Sequence, residues 1–197
     1  ADAVATAMVG EVAVLAAETL PAFPTPPSVV VDARLAKEVL DTSIEQAPFV
    51  VALGPGFVAG TDCHAVVETM RGHRLGSVIW DGAAHPNTGV PGELGGVTAR
   101  RVLRSTGAGD VRWQVGFGDA VAEGDTIGHV GSVPVVATVT GTVRGLIAPG
   151  PVAAGDKIGD IDPRSLEGAV EHISDKSLAV AAGVLEAILV WLGGVEP

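Results

Sequence analysis

Short apolar runs separated by glycine and proline dominate the first hundred positions of the chain. Three of them, SVVVDAR, FVVALGPG and LGSVIWDG, place β-branched residues between polar or turn-forming ones, a pattern that predicts buried strands. LAKEVLDTSIEQ, between the first two, predicts a weak helix or a turn. Asp62 is placed to cap a helix over residues 63–69. The segment AHPNTGVPGELGG is rich in turn residues and predicts a long functional loop.

The second half contains an internal repeat. VAEGDTIGHV, residues 121–130, and VAAGDKIGDI, residues 152–161, share the pattern V-x-x-G-D-x-I-G-x-[VI]. Each copy predicts a tight turn leading into a strand, and the pair predicts two halves related by a pseudo-twofold axis. This arrangement resembles the lipoyl/biotinyl carrier fold, a barrel-sandwich hybrid. Carriers of that kind hold their prosthetic group on a lysine between the halves, whereas residues 131–145 contain no lysine. We therefore expect a scaffold or docking module.

The closing segment SDKSLAVAAGVLEAILVWL predicts one helix, capped by Ser174 and packed against the first half of the chain. The expected fold is of the α/β (α+β) class. It comprises an α/β domain with glycine-rich loops over residues 1–110, an all-β barrel-sandwich module over residues 111–162, and a helical C-terminal part over residues 163–197.

Charge and composition narrow the function classes. The net charge of −11 argues against nucleic acid and anionic membranes as partners, because both require clustered Lys and Arg. No apolar run reaches the roughly 18 residues of a membrane span, and residues 177–192, which come nearest, are expected to form a buried helix. The single cysteine excludes an intramolecular disulfide, which fits a cytoplasmic protein.

The stretch GPGFVAGTDCH combines several chemically useful residues. Its glycines free the backbone for close approach to a phosphate or another anion. At a helix start, the helix dipole would stabilise the thiolate of Cys63, and His64 would serve as its proton partner. The alternative is a strand-to-helix turn with a buried, inert cysteine. The candidate binding residues in this stretch are Gly54, Gly56, Gly60 and Asp62.

Further polar candidates follow along the chain. Glu68 and Arg71 are three residues apart, which would place them on one face of the predicted helix. His73 follows Arg71 by two residues. They line a polar pocket in one interpretation and form a surface ion pair in the other. The long loop adds His85, Asn87, Thr88, Gly89, Glu93, Gly95 and Gly96. The histidines lack the spacing of a metal-binding motif, so no metal site is predicted.

Six motifs in order, from Val29 to Leu189, resemble one family. They are VVVDARLAK, ALGPGFVAGTDCHAVVETMRGHRLGSVIW, NTGVPGELGG, RGLI, KIGDIDPR and ISDKSLAVAAGVLEAIL. Together they resemble the YqeB family, described as accessory proteins of selenium-dependent molybdenum hydroxylase systems. Members of that family usually begin with a strand, a glycine loop of the form G-A-G-D-x-A-T-G and a helix. Nothing comparable precedes Pro21, so residues 1–20 would be the later part of a Rossmann-like half whose beginning is missing here.

The resemblance implies an accessory or maturation protein for a molybdenum-containing hydroxylase. Such a protein would bind the molybdenum cofactor, another phosphate-bearing ligand, or the hydroxylase apoenzyme. Cys63 would then carry sulfur or selenium transiently. Two alternatives stay open, a non-catalytic docking or chaperone module and a nucleotide-dependent small-molecule enzyme. Whether the chain forms a homo-oligomer also stays open.

Overall fold

The computed structural model describes residues 12–15, 17, 19–20, 23, 25–89, 93, 95–164 and 170–194. The chain divides into two compact units, one formed by Ala1–Asn87 with Ser174–Pro197 and the other by Thr88–Ile173. The mixed α+β class is confirmed, because the described elements are mostly strands in several sheets together with a C-terminal helix. Residues 1–20, expected to continue a Rossmann-like half, lie mostly outside the described residues.

The first unit contains a four-stranded sheet and a smaller two-stranded one. Its strands are β1 (Val29–Asp32), β2 (Phe49–Leu53), β3 (Val58–Ala59), β4 (Ala65–Val67), β5 (Val78–Ile79) and β6 (Gly82–Ala83). The larger sheet has the order β1-β2-β4-β5. In it β1, β2 and β4 are parallel, and β5 is antiparallel to β4. The three apolar runs that predicted strands correspond to β1, β2 and β5.

The central strand β2 is buried along its whole length, as an uninterrupted apolar run predicts. Val50 faces one core cluster, which also contains Phe57 and Cys63. Phe49 faces a second cluster on the opposite side of the sheet, where its ring stacks on Trp191 at a centroid distance of 5.3 Å. Both faces of the sheet are therefore covered, which accounts for the apolar composition of the strand.

The helix predicted over residues 63–69 is wrong, because β4 occupies this part of the chain. The side chain of Asp62 does not cap a helix. Its carboxylate accepts a hydrogen bond from the Val58 N–H at 2.8 Å and closes a turn. Ala65, Val66 and Val67 of β4 then pair with β2 and are fully buried. LAKEVLDTSIEQ forms no α-helix either; it contains only the single 3₁₀ turn Ile44–Gln46.

The C-terminal helix, α1 (Asp175–Gly193), begins where the sequence predicts. The Ser174 hydroxyl accepts a hydrogen bond from the Ser177 N–H at 3.0 Å. Only Val180, Gly183 and Ala187 are buried. The opposite face exposes four leucines, Leu178, Leu185, Leu189 and Leu192. The expectation of a buried helix thus holds for one side of α1 only.

Among the described residues, α1 is the one helix whose length and apolar composition would allow it to cross a bilayer. Length and composition are weak evidence when they come from a single helix, because core helices satisfy the same criteria. The buried side of α1 packs on the sheet of the first unit, beside residues of β2, β4 and β5.

The described residues of the second unit form eight strands in two antiparallel sheets. They are β7 (Val102–Arg104), β8 (Gly109–Trp113), β9 (Ala120–Val121), β10 (Thr126–Val130), β11 (Val133–Val136), β12 (Gly141–Leu146), β13 (Gly150–Val152) and β14 (Lys157–Asp162). One sheet has the order β11-β10-β8-β13 and the other β7-β14-β12-β9. A single apolar cluster draws buried residues from both sheets.

The two copies of the sequence repeat adopt the same local structure. In the first copy, the Asp125 carboxylate accepts a hydrogen bond from the Ala122 N–H at 2.8 Å. In the second copy, Asp156 accepts from the Ala153 N–H at the same distance. The copies also exchange strands, because β9 lies in the sheet of β14 while β13 lies in the sheet of β10. The six matched apolar residues are all buried: Val121, Ile127, Val130, Val152, Ile158 and Ile161.

Candidate functional site

The carboxyl ends of the three parallel strands bring polar residues to one edge of the first unit. β1 ends at Asp32, which pairs in register with Ala52 of β2. The last residue of β2, Leu53, pairs with Val67 of β4. Gly54 and Glu68, the residues that follow these strands, therefore lie at the same edge as Asp32. Ligands of open parallel sheets bind at such carboxyl edges.

Two glycines of the predicted binding loop allow the chain itself to pack closely. Gly54 has φ +82°, and a Cβ there would lie 2.7 Å from the Thr69 hydroxyl oxygen. Gly56 has φ +103°, and a Cβ there would lie 2.7 Å from the backbone carbonyl carbon of Lys37. The space beside both glycines is thus filled by the protein's own atoms. Their role in holding a ligand stays a prediction.

Cys63 does not lie at a helix N-terminus, so the dipole expected to stabilise its thiolate is absent. Its side chain is completely buried. Burial, together with the negative charge of Asp62, raises the pKa of the thiol to about 11. The Nδ1 of His64 accepts a hydrogen bond from the Val50 N–H at 3.0 Å, so its role as proton partner of Cys63 stays a prediction. Burial also lowers the pKa of His64, which favours the neutral ring that this bond requires.

We expect Cys63 to alkylate very slowly in the folded protein. A buried thiol with a raised pKa provides little thiolate at pH 8, and the core excludes the reagent. The iodoacetamide reaction should be slower by at least about 100-fold than in urea-unfolded protein, as measured by mass spectrometry over time. Comparable rates in the two states would show that the thiol is accessible.

The buried Glu68 carboxylate and the exposed His85 imidazole form a pair at this edge. Glu68 is 1% exposed. One carboxylate oxygen accepts the Met70 N–H at 2.7 Å. The other accepts the His85 N–H at 2.9 Å and lies 2.7 Å from His85 Nδ1. Burial alone would raise the pKa of Glu68, but the hydrogen bonds from His85 and Met70 outweigh it and lower the pKa.

The ionised Glu68 carboxylate fixes the orientation of the His85 ring. A carboxylate that accepts from Nδ1–H holds the imidazole in one tautomer, with a lone pair on Nε2. The His85 side chain is 42% exposed, and its Nε2 has no hydrogen-bond partner within the described part of the chain. This imidazole can therefore accept a proton or a hydrogen bond from a bound molecule. Glu68 belongs to the predicted polar pocket and His85 to the predicted long loop, so the pair joins these two regions.

Lys176 brings positive charge near the Glu68 carboxylate. The Arg71 guanidinium binds the Asp175 carboxylate through two hydrogen bonds of 2.6 and 3.0 Å, which attach it to the first turn of α1. The neighbouring Lys176 is partly buried. Burial and the positive charges of Arg71 and Lys37 lower its pKa. Lys37, Arg71 and Lys176 thus form a basic group near Glu68.

A cleft of about 390 Å³ lies at the carboxyl end of β1. Sequence reasoning missed it, although a charged residue directly after the apolar run VVV was a usable signal. Asp32 is buried there, and its carboxylate accepts hydrogen bonds from Arg34 Nε and Nη2 at 3.1 and 2.7 Å. The Thr42 hydroxyl also donates to Asp32. Arg34 Nη2 lies 2.6 Å from the carboxylate of Asp41 as well.

The Asp32 carboxylate should make folding sensitive to acid. Its hydrogen bonds from Arg34 and Thr42 outweigh the effect of burial and lower its pKa to about 2. A lowered folded-state pKa stabilises the protein above the unfolded-state value near 4, and that contribution is lost as the pH falls towards 2. We expect about 2 kcal/mol from this carboxylate, since each pKa unit corresponds to about 1.4 kcal/mol. Urea unfolding from pH 5 to pH 2 should show a weaker pH dependence for Asp32→Asn. Equal pH dependence in the two proteins would contradict the assignment.

The other predicted site residues are divided between the two units. Gly60 and Asp62 form the turn before Cys63, and His73 and Asn87 are exposed in the first unit. In the second unit, Gly95 lies against Pro163 and Arg164. The remaining members of the second unit are exposed: Thr88, Gly89, Glu93 and Gly96. Within the described ranges, no group of three His, Cys, Asp or Glu side chains is arranged to hold a metal ion.

Comparison with known proteins finds one curated relative and several remote structures. No family model matches the chain. The chain is 53% identical over 167 residues, 84% of its length, to the uncharacterized protein YqeB of Escherichia coli (strain K12), and it spans 31% of that protein's length.

The solved structures are far less similar. An aspartoacylase family protein from Mesorhizobium loti is 21% identical over 32% of this chain and 23% of its own, with a TM-score of 0.31. The ectoine utilization protein EutE (DoeB) from Ruegeria pomeroyi is 27% identical over 32% and 22%, with a TM-score of 0.29. A succinylglutamate desuccinylase/aspartoacylase from Rhodobacter sphaeroides is 18% identical over 58% and 45%, with a TM-score of 0.32. These scores carry no inference about activity.

Proposed function

We propose that this chain, a homologue of YqeB along 84% of its length, acts in the maturation of a molybdenum-containing hydroxylase. The homology supports the family that the sequence motifs predict. The chain would bind the molybdenum cofactor or the apoenzyme at the carboxyl edge of β1, β2 and β4, without a covalent step. The family resemblance supplies the hydroxylase connection, since the relative's own name assigns no activity. The observation that supports a role in ligand handling is the Glu68–His85 pair.

The residues at this edge fit a phosphate-bearing ligand. Lys37, Arg71 and Lys176 supply positive charge beside Glu68, and cations of this kind are the usual partners of phosphate groups. His85 would hold or move a proton at Nε2 while the ligand is bound. The molybdenum cofactor itself supplies the redox chemistry of the client hydroxylase.

Delivery of sulfur or selenium by Cys63 remains the finer alternative within the same proposal. The buried thiol, with its raised pKa, favours the non-covalent version. A thiol carrier must expose a thiolate to its donor and its acceptor. Cys63 would therefore have to leave the core cluster that it shares with Val50 and Phe57.

One feature favours the docking or chaperone alternative as a second candidate. Leu178, Leu185, Leu189 and Leu192 form an apolar face on α1, and each is more than half exposed. Partner proteins commonly cover contiguous apolar surface of this kind. A hydroxylase apoenzyme is the partner we propose for this face.

The test is hydroxylase activation in a strain that lacks the gene. Plasmids would supply the protein as wild type, His85→Gln, Cys63→Ala or His172→Gln. His172 is exposed in the second unit and serves as the matched histidine control. We expect His85→Gln to lower activation at least about 100-fold, at the lower end of the range attributed to a positioned proton-transfer group, while the other two variants activate normally.

Three results would overturn parts of the proposal. Full hydroxylase activity in the deletion strain removes the maturation role. Normal activation by His85→Gln removes the Glu68–His85 pair from it. Loss of activation with folded Cys63→Ala replaces the non-covalent version by sulfur or selenium transfer. Co-purification of molybdenum with the protein provides a readout that does not depend on turnover.

A further inference from the structure

The cleft beyond β1 is formed by other residues than the Glu68–His85 pair, and its chemistry is different. Its volume of about 390 Å³ lies in the range of small-molecule sites. One part of its lining is apolar and consists of Leu15, Leu20, Phe23, Val30 and Val31. Val31 is 39% exposed, so a ligand in the cleft would cover apolar surface that the protein leaves uncovered.

The polar end of the cleft has one donor group and one acceptor group that remain available. Asp32 is saturated, because Arg34 and the Thr42 hydroxyl already donate to both of its oxygens. Arg34 Nη1 and Asp41 Oδ2, by contrast, have no hydrogen-bond partner among the residues that the structure describes. Both residues line the cleft, and their groups are adjacent, because Arg34 Nη2 lies 2.6 Å from Asp41 Oδ1.

The charges at this end disfavour an anionic ligand. Asp32 and Asp41 contribute two negative charges and Arg34 one positive charge, which leaves a net charge of −1 around the available groups. A phosphate or carboxylate placed there would be repelled. A neutral group with adjacent donors and an acceptor would instead satisfy both Asp41 and Arg34 at no electrostatic cost.

The second unit shows that the Asp–x–Arg pair alone is a structural feature. At the end of β14, Asp162 accepts from the Arg164 N–H, Nε and Nη2 at 3.1, 2.9 and 2.7 Å. Asp32 and Arg34 show the same three contacts at 3.0, 3.1 and 2.7 Å. The features that turn the β1 end into a binding site are therefore the additional carboxylate of Asp41 and the apolar lining.

We propose that this cleft binds a neutral 2-amino-4-oxopyrimidine ring, the ring that guanine nucleosides and pterins share. The ring N–H and the amino group would donate to the Asp41 carboxylate, while the oxo oxygen accepts from Arg34 Nη1. The ring faces would pack on the apolar lining. Proteins read the hydrogen-bonding edge of a base in this way while its faces lie between apolar side chains. Adenine presents an acceptor where Asp41 requires a donor. This inference does not depend on the maturation role.

Binding calorimetry on the full chain at pH 7 tests the proposal with guanosine, 6-hydroxymethylpterin, inosine and adenosine. We expect saturable binding of guanosine, of the pterin, or of both. Inosine lacks the amino group and should bind at least about fivefold more weakly than guanosine, since a site built for a hydrogen bond rejects an analogue that lacks it. Adenosine should not bind measurably.

Asp41→Asn is the decisive variant, because Asp41 is 37% exposed on its side chain and its loss should leave the fold intact. It should weaken binding at least about tenfold. Glu45→Gln, a neighbour that loses the same charge but does not line the cleft, should change affinity less than about twofold. Thermal unfolding of both variants verifies that they are folded.

Each outcome decides the question. Binding of guanosine alone identifies a guanine nucleoside, and binding of the pterin alone identifies a pterin. The proposal is overturned if neither binds at millimolar concentration, if adenosine competes equally, or if Asp41→Asn binds like the wild type. The hydroxylase activation assay is independent of these measurements, so failure here does not imply failure of the maturation role.

Discussion

Replacing Glu68 by alanine will lower the free energy of unfolding by about 3 kcal/mol or more. The substitution removes a 1% exposed carboxylate and leaves the N–H groups of Met70 and His85 without their acceptor. Each N–H group that is left without its acceptor typically costs about 1–3 kcal/mol. Urea unfolding followed by circular dichroism measures the effect.

Two further variants separate burial from charge. Glu68→Gln keeps the size of the side chain and one acceptor oxygen, so it should lose about half of that stability. Glu186→Ala removes an exposed carboxylate from α1 and should change stability by less than about 0.5 kcal/mol. A Glu68→Ala variant as stable as Glu186→Ala would mean that the carboxylate network is not formed in solution.

The second large effect is expected at Gly183, in the middle of α1. A Cβ at this position would overlap the carbonyl oxygen of Gly76 and lie 2.9 Å from Val67 Cγ1. A backbone carbonyl cannot rotate away as a side chain can, so Gly183→Ala must displace the helix from the sheet. We expect a net loss of about 2–3 kcal/mol, even though alanine favours an isolated helix by about 1 kcal/mol.

Gly107→Ala is the matched control, because a Cβ there would have no heavy atom within 4 Å. It should leave the unfolding midpoint nearly unchanged. The near-ultraviolet signal of Trp191, which stacks on Phe49, should weaken in Gly183→Ala and persist in Gly107→Ala. Stabilisation by Gly183→Ala would show that α1 does not pack on the sheet as described.

The elements that sequence patterns predicted correctly are those whose signal is local and repeated. The run that becomes β2 is apolar throughout, and Ser174 precedes a continuous helical stretch. The repeat supplied two independent instances of one turn, and both Asp125 and Asp156 close it in the same way. Because both copies carry the same sequence pattern, each copy supported the turn that was predicted for the other.

The predicted helix over residues 63–69 failed because tertiary pairing overrode a local capping signal. Asp62 can cap a helix or close a turn, and the two uses look alike in sequence. Val66 and Val67 follow Asp62 by four and five residues, and β-branched residues of this kind favour a strand when a neighbouring strand is available. The existence of that neighbour, β2, depends on contacts that the local pattern does not contain.

The candidate site was only partly predictable for a similar reason. Glu68 was identified, but its partner His85 lies 17 residues away with no fixed spacing that would indicate a pair. Cys63 was predicted to be reactive because it is the single cysteine of the sequence and because a helix was expected to begin there. Once β4 replaces that helix, the cysteine becomes a buried core residue. Asp32 and Asp41 meet through the turn at Arg34, a bridge that only the folded chain reveals.

The exchange of strands between the two repeat copies makes each copy depend on the other to complete its sheet. Because β9 completes the sheet of the other copy and β13 returns the exchange, neither copy alone can close its own sheet. A polypeptide with a single copy would carry an unpaired strand and would gain its missing partner from an identical molecule. The second unit is thus topologically equivalent to a twofold-symmetric dimer of half-length chains, and its covalent connection makes that assembly independent of concentration.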